Sequence, residues 1–166
     1  MTTDSKPRST NGPDVAVLAG YPPLLDSSDV RTLVLDTLDA LSAPTRVELS
    51  VHFVDSAEIA RLNVEALGGS GPTDVISLPL EQIIPGRWPR LGPDDPPLAL
   101  GDVFIAPEIV RSRALVHGFD PAAETALMVV HGVLHLTGHD HVADDEAEAM
   151  ETIESSILAE HGFGRR

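Results

Sequence analysis

Segment 121–136 limits the folds open to this chain, because it is apolar on nearly every side and long enough for several helical turns. Its apolar residues include Leu127, Met128, Val129, Val130, Val133 and Leu134. A helix that is hydrophobic all round is buried in a core and does not lie on a surface. We therefore expect a central helix from Pro121 to Leu136, with the remaining elements packed around it.

The segments before and after this helix alternate between strand and helix patterns. Strands are predicted at 15–19, 46–54, 73–80 and 101–106, and helices at 27–41, 55–67, 107–117 and after Asp144. Helix caps are predicted at Ser27–Asp29 and at Asp55, and Pro107 suits the first turn of its helix. Residues 81–98 are rich in proline and glycine, which predicts a surface loop. This order favours an α/β or α+β fold with a mixed sheet of about four strands and helices packed on it.

The length and the N-terminal composition predict a single domain. A chain of 166 residues is within the usual size of one folding unit. We expect that domain to span 14–162 and to follow a flexible polar tail, residues 1–13. The polar start and the lack of a long apolar run predict a cytoplasmic protein that has no membrane segment.

The charge of the chain restricts its partners. Twenty-six acidic residues against eleven Lys and Arg give a formal charge of −15, which opposes membranes and nucleic acid unless basic residues cluster locally. Acidic residues without Lys or Arg fill the stretch from Asp144 to Glu160, so that helix is predicted to present a solvated face pointing away from any phosphate. The absence of cysteine leaves His, Asp and Glu as metal ligands.

Four of the seven histidines lie between positions 131 and 141. His131 and His135 are one helical turn apart, so their rings share one face of the predicted central helix. Gly138 allows a left-handed turn that brings His141 to the same point. Buried histidines bonded to backbone or carboxylate would explain the first two alone. The third favours a metal bound by His131, His135 and His141, with His139 left outside the ligand set.

Three imidazoles and no thiolate are typical of a catalytic zinc site that keeps its fourth position for water. One zinc ion is therefore the expected cofactor, although nickel or another divalent metal also accepts three imidazoles. The metal-bound water is a hydroxide source near neutral pH, so hydrolysis is the expected chemistry, with the three histidines acting through that water.

The spacing of His131, His135, Gly138 and His141 is also the spacing of metzincin proteases. Those enzymes need a glutamate directly after the first histidine as the general base, and Gly132 occupies that position here. A small zinc metallopeptidase therefore stays an alternative. A glycine inside a helix further predicts close approach of another backbone or of a substrate at Gly132.

Three motifs in order resemble a known family. They are PTDVISLP from Pro72, LGDVFIAPE from Leu100 and HGVLHLTGHDH from His131. Together they resemble the YbeY-type metallo-endoribonucleases, which are bacterial rRNA maturation factors. The resemblance implies an α/β fold and zinc held by His131, His135 and His141. It also implies single-strand-specific RNA cleavage in 16S rRNA 3′-end maturation and ribosome quality control. Because few basic residues are available for phosphate contacts, we expect docking to the ribosomal small subunit or its factors to supply much of the recognition.

The chain departs from the family pattern just before the first motif, inside the first motif and inside the third. The family usually has an aromatic residue and an arginine where Ala66 and Leu67 stand, so the family arginine is missing. Phe and Tyr are common where Leu78 and His139 stand. The missing arginine raises a second alternative, a ribosome-assembly factor whose metal site is mainly structural and whose nuclease activity is weak or lost.

Other residues are candidates for RNA contacts in the absence of that arginine. Arg87 and Arg90 flank Trp88 in the proline-rich loop, where the indole could stack on a base and the guanidiniums could bind phosphates. The alternative is that Trp88 anchors the loop to the core. Arg111 and Arg113 on the following helix are further candidates, although surface solubility is the preferred role for both.

Three aspartates, Asp74, Asp102 and Asp140, lie in or beside the family motifs. Each is a candidate to orient a ligand histidine, to order a turn or to take a proton from the metal-bound water. Orienting a ligand or ordering a turn is the preferred role for all three.

Overall fold

Within residues 12–164, which the computed structural model describes, four strands and five helices follow one another in the predicted order. They are β1 (Asp14–Ala19), α1 (Ser27–Ala40), β2 (Val47–Phe53), α2 (Ser56–Leu67), β3 (Val75–Pro79), β4 (Leu98–Ile105), α3 (Pro107–His117), α4 (Pro121–Leu136) and α5 (Asp144–Glu160). The predicted α+β domain is confirmed. Most of the predicted tail lies outside the described residues.

The four strands form one mixed sheet in the order β1-β2-β4-β3. β1, β2 and β4 are parallel, and β3 runs antiparallel to β4 at one edge. Val51 pairs with Val17 on one side and with Val103 on the other, so these residues share a face of the sheet. The edge position of β3 matters for function because it borders the histidine cluster.

Helices α1 and α4 cover one face of this sheet. Along β2 the residues Val47, Leu49, Val51 and Phe53 are buried and alternate with half-buried polar residues, as predicted for a strand with one covered face. Helix α4 packs on β3 and β4, and α1, α3 and α5 pack against α4. The prediction that 121–136 is a central helix is therefore confirmed.

The opposite face of the sheet is covered only in part. Helix α2 packs over β3 and forms a small second core from Ile59, Ile76 and Ala106, with Phe104 against it. Phe104 stacks on His52 of β2 with ring centroids 4.5 Å apart. Polar residues of β2 and β4 beyond α2 therefore lie on a half-open surface, away from α4.

The ends of the elements differ from expectation in two places. Helix α1 begins at Ser27 after Asp26, which makes no side-chain cap, whereas a cap was expected from Ser27 to Asp29. Strand β4 begins at Leu98, three positions before the predicted start, because Leu98 and Ala99 pair with Val47 and Glu48 of β2. The predicted cap at Asp55 is confirmed, since its side chain accepts from the Glu58 amide at 2.8 Å. No helix among the described residues is long and apolar enough to cross a membrane.

Candidate metal centre

Helix α4 holds the first two histidines because Gly132 seats it tightly on the sheet. A Cβ atom at Gly132 would overlap the side chain of Val103 on β4. The Gly132 carbonyl also accepts a hydrogen bond from the Ser77 hydroxyl of β3 at 3.1 Å. The close approach predicted at this glycine is therefore to a side chain of the core and not to a backbone or a substrate. This contact directs His131 and His135 toward the β3 edge.

The structure brings together the three histidines predicted as ligands. One ring nitrogen from each of His131, His135 and His141 lies within 4.8 Å of the other two. The Nε2 atoms of His131 and His135 are 3.0 Å apart. His139 lies outside this group, and its Nδ1 is 3.2 Å from the Thr137 hydroxyl. The three imidazoles therefore converge on a single point.

A carboxylate from α5 supports the first of these histidines. Glu154 Oε1 lies 2.7 Å from His131 Nδ1, and Glu154 is only 9% exposed. A carboxylate accepts, so the Nδ1–H of His131 donates to it, which leaves the Nε2 lone pair facing His135. The expectation that all acidic residues of this helix are solvated and face away from the site is therefore wrong for Glu154.

The third histidine depends on the turn after α4. Gly138 has a φ of 92°, in the left-handed region, and a Cβ atom there would overlap the carbonyl oxygen of Ile83. Asp140 Oδ1 then accepts from the His141 backbone amide at 2.7 Å. These contacts reverse the chain so that the exposed His141 side chain approaches the rings on α4. Asp140 therefore orders the turn.

The surroundings favour the neutral form of two imidazoles, those of His135 and His139. Burial lowers the pKa of His135, and the neighbouring rings of His131 and His141 lower it further. Burial also lowers the pKa of His139. A neutral imidazole has a free lone pair, whereas a protonated one has none, so these pKa directions suit metal ligation at neutral pH.

Two grooves open beside the cluster. The larger, about 550 Å³, is lined by all four clustered histidines, by β3 and by Leu67, where the family arginine is missing. The other, about 380 Å³, is lined by His131, Glu154, Arg113 and apolar residues of α4. Asp74 borders both grooves, and its Oδ2 accepts from Arg113 Nη1 at 2.6 Å. A bound substrate therefore has access to the histidines along β3.

Two residues predicted near the site lie elsewhere. Asp102 Oδ1 is 2.9 Å from His52 Nε2, on the half-open face of the sheet. Its neighbour Val103 faces α4, and because side chains alternate along a strand, Asp102 points away from the metal ligands. Trp88 packs against the core, and its Nε1–H donates to the Leu41 carbonyl at 2.9 Å. The indole therefore anchors the loop to the core.

The two arginines of the proline-rich loop, Arg87 and Arg90, are exposed. Neither lines the two grooves at the histidines. The loop itself does touch the site, because Ile83 and Pro85 lie against Gly138.

Glu154 is the functional residue that sequence reasoning missed. Its spacing carried a signal, since Met150, Glu154 and Ile157 lie on one side of α5 and the two apolar members are buried. An acid at a core-facing position of an amphipathic helix needs a partner, and a buried histidine on a neighbouring helix is one.

The donor set fits a zinc ion. Two imidazole nitrogens bound to one tetrahedral zinc are separated by about 3.3 Å, given Zn–N distances of roughly 2.0–2.1 Å. The 3.0 Å between the Nε2 atoms of His131 and His135 is close to that value, and His141 is within reach. The carboxylate on His131 Nδ1 is the outer partner that metal-bound histidines usually have.

Comparison with known proteins agrees with this geometry. The profile described as Endoribonuclease YbeY matches residues 25–162. A protein of Kineococcus radiotolerans named endoribonuclease YbeY is 38% identical over 134 residues, covering 81% of this chain and 76% of that relative. One of the same name from Acidothermus cellulolyticus is 35% identical over 145 residues, covering 86% and 88%.

A solved structure shares the fold. The solution structure of a Thermotoga maritima protein superposes with a TM-score of 0.57 at 22% identity, covering 89% of this chain and 91% of that one. With the matched profile and the two curated relatives, the conclusion is direct: this chain belongs to the endoribonuclease YbeY family.

Proposed function

We propose that this protein is a zinc-dependent endoribonuclease that cleaves single-stranded RNA in the cytoplasm. Within that activity we place 16S rRNA 3′-end maturation and ribosome quality control. The observation that carries the proposal is the convergence of His131, His135 and His141 at the floor of an open groove. A purely structural zinc site is closed by four protein ligands, whereas this set offers three.

The residues of the chain have distinct parts in this activity. His131, His135 and His141 would hold the zinc, which when bound supplies an activated water and a positive charge beside the scissile phosphate. Glu154 holds the His131 ring in the tautomer that ligation requires. Strand β3 forms the wall of the groove along which the strand to be cut lies.

The ribosomal small subunit is the proposed partner, for an electrostatic reason. A chain of net charge −15 with few cations at its groove makes few phosphate contacts. At about −0.7 per contact, three or four contacts give a slope of log affinity against log salt of only about −2 to −3. Free RNA is then bound weakly at physiological salt, so docking to the subunit supplies much of the recognition.

The experiment that tests the function compares the wild-type protein with two histidine variants. The protein is purified with its own metal, its metal content is measured, and structured RNA, single-stranded RNA and a peptide panel are each assayed. His135→Ala removes a ligand, and His52→Ala is the control because His52 lies on the other face of the sheet. We expect single-stranded RNA cleavage that His135→Ala abolishes and His52→Ala retains.

Other results separate the alternatives. Full metal content without RNA turnover, in the presence of a ribosomal small subunit as well as in its absence, supports an assembly factor with a structural metal. Peptide cleavage that depends on His135 supports a metallopeptidase. Mass analysis of the RNA product ends distinguishes attack by water from attack by the substrate's own 2′-hydroxyl, which leaves a cyclic phosphate.

A further inference from the structure

The two grooves at the histidine cluster contain one side chain with a permanent positive charge. Arg113 on α3 lines the smaller groove, which His131 and Glu154 also line. No other Lys or Arg lines either groove among the described residues. We propose that Arg113 binds a phosphate of the RNA backbone next to the cleaved bond. This inference rests on the proposed function and assigns the cation that recognises its substrate.

Arg113 is held in place by one ion pair and keeps free hydrogen-bond donors. Its Nη1 donates to Asp74 Oδ2 at 2.6 Å, while its side chain is 56% exposed. A guanidinium carries five N–H donors in a planar fork, so several remain for a phosphate. The carboxylate therefore fixes the position of the fork and leaves part of it free.

Asp74 is itself fixed by β3. Its Oδ1 accepts from the Val75 backbone amide at 2.9 Å and lies 3.3 Å from the Thr73 hydroxyl. The Asp74 carboxylate thus connects the start of the strand that walls one groove to the helix that walls the other. This linkage holds Arg113 in the smaller groove, next to the carboxylate that borders both grooves.

The charge around the site makes this cation necessary. Asp74, Asp140, Glu124 and Glu154 all line the grooves, and the whole chain has a charge of −15. A phosphate entering such a site is repelled unless a metal or a cation offsets the carboxylates. Arg113, in the smaller groove, is the protein's own positive charge near these carboxylates.

The same helix provides a matched control. Arg111 precedes Arg113 by two residues, which in an α-helix turns its side chain about 200° around the axis. Arg111 lies near Tyr21, where its charge partly opposes the rise in pKa that the hydrogen bond to Glu108 causes, and it lines neither groove. The two arginines therefore lie on the same helix and carry the same charge, and replacing either one with alanine changes the net charge of the chain equally. They differ only in position.

The test measures single-stranded oligoribonucleotide binding and cleavage by the metal-loaded protein and by Arg113→Ala, Arg113→Lys and Arg111→Ala. We expect Arg113→Ala to raise Kd and KM about tenfold, with a smaller change in kcat, because a charged hydrogen bond is lost. The slope of log affinity against log salt should become shallower by about 0.7, the value for one phosphate contact. Arg113→Lys should restore that slope, and Arg111→Ala should leave it unchanged.

The outcomes distinguish this inference from the function on which it rests. Metal content and circular dichroism of each variant show whether the fold and the metal site are intact, and Arg113→Gln replaces Arg113→Ala if the latter is poorly folded. Equal effects of Arg113→Ala and Arg111→Ala, or an unchanged salt slope in Arg113→Ala, overturn the role of Arg113 while RNA cleavage by the wild type stands. A wild-type protein that neither binds nor cleaves RNA overturns both.

Discussion

Glu154 on α5 and His131 on α4 are joined by a 2.7 Å hydrogen bond between Oε1 and Nδ1. The carboxylate is almost fully buried, so removing its partner would leave a charge without compensation in the core. The bond holds the His131 ring at Nδ1, and the other ring nitrogen, Nε2, faces His135. It therefore makes α5, the most acidic helix of the chain, part of the metal centre.

Replacing Glu154 with glutamine should weaken metal binding without unfolding the protein. Glutamine can still accept from His131 Nδ1, but it lacks the charge that strengthens the imidazole as a ligand. Loss of such outer partners typically weakens metal affinity by about 10- to 100-fold. Competition with a chromogenic zinc chelator at pH 7 measures the change. Glu148→Gln, an exposed acid on the same helix, is the control, and equal zinc affinities in the two variants would contradict this role.

Adding a methyl group at Gly132 should destabilise the protein. Alanine gains about 1 kcal/mol of helix propensity over glycine. Overpacking against the fully buried Val103 costs about 1–3 kcal/mol, so we expect a net loss in the free energy of unfolding. Urea denaturation of Gly132→Ala measures it. In the double variant Gly132→Ala/Val103→Ala the loss should be smaller than the sum of the single losses, and simple additivity would argue against the contact.

Trp88→Phe should lower stability and leave RNA cleavage per folded molecule unchanged. Phenylalanine keeps most of the packing but loses the donor to the Leu41 carbonyl, at a cost of about 1 kcal/mol. Thermal unfolding and RNA cleavage rates of the variant and the wild type are compared. A rise in KM for RNA with unchanged stability would favour the base-stacking role predicted from the sequence.

Glu108 should contribute stability that is lost in acid. Hydrogen bonds from Ser56 and then from Tyr21 lower the pKa of the Glu108 carboxyl below its ordinary 4.5. The unfolded chain therefore binds the proton more readily, so the contribution is present above pH 4.5 and disappears as the pH falls through the lower folded-state pKa. The difference in thermal midpoint between wild type and Glu108→Gln should shrink below pH 4.5. A difference that stays constant down to pH 3 would contradict this.

Local patterns predicted most of the fold, since each element has its own periodicity and end signals. The apolar surround of 121–136 predicted the central helix, and the Asp55 cap and Pro107 at the start of α3 were found as expected. The start of β4 was missed because Leu98 and Ala99 become strand residues through pairing with β2, which no local pattern encodes.

In the candidate site, too, local patterns predicted some residues and missed contacts between distant segments. His131, His135 and His141 could be predicted together because they are close in sequence and helix geometry places two of them. The partner of His131 is Glu154, 23 positions away, and the anchor of Arg113 is Asp74, 39 positions away. Asp102 was misplaced because a one-residue difference along a strand changes which face a side chain occupies. Contacts between distant segments therefore needed the tertiary structure.

The placement of the three histidines separates folding from the acquisition of the ion. Two donors belong to the most deeply buried helix, which is complete through packing on the sheet, and the third is on an exposed turn. Metal binding then has to order only the exposed turn that carries His141. We expect a newly made chain to reach its full architecture in a metal-starved cell and to wait there, inactive but intact, for delivery of zinc.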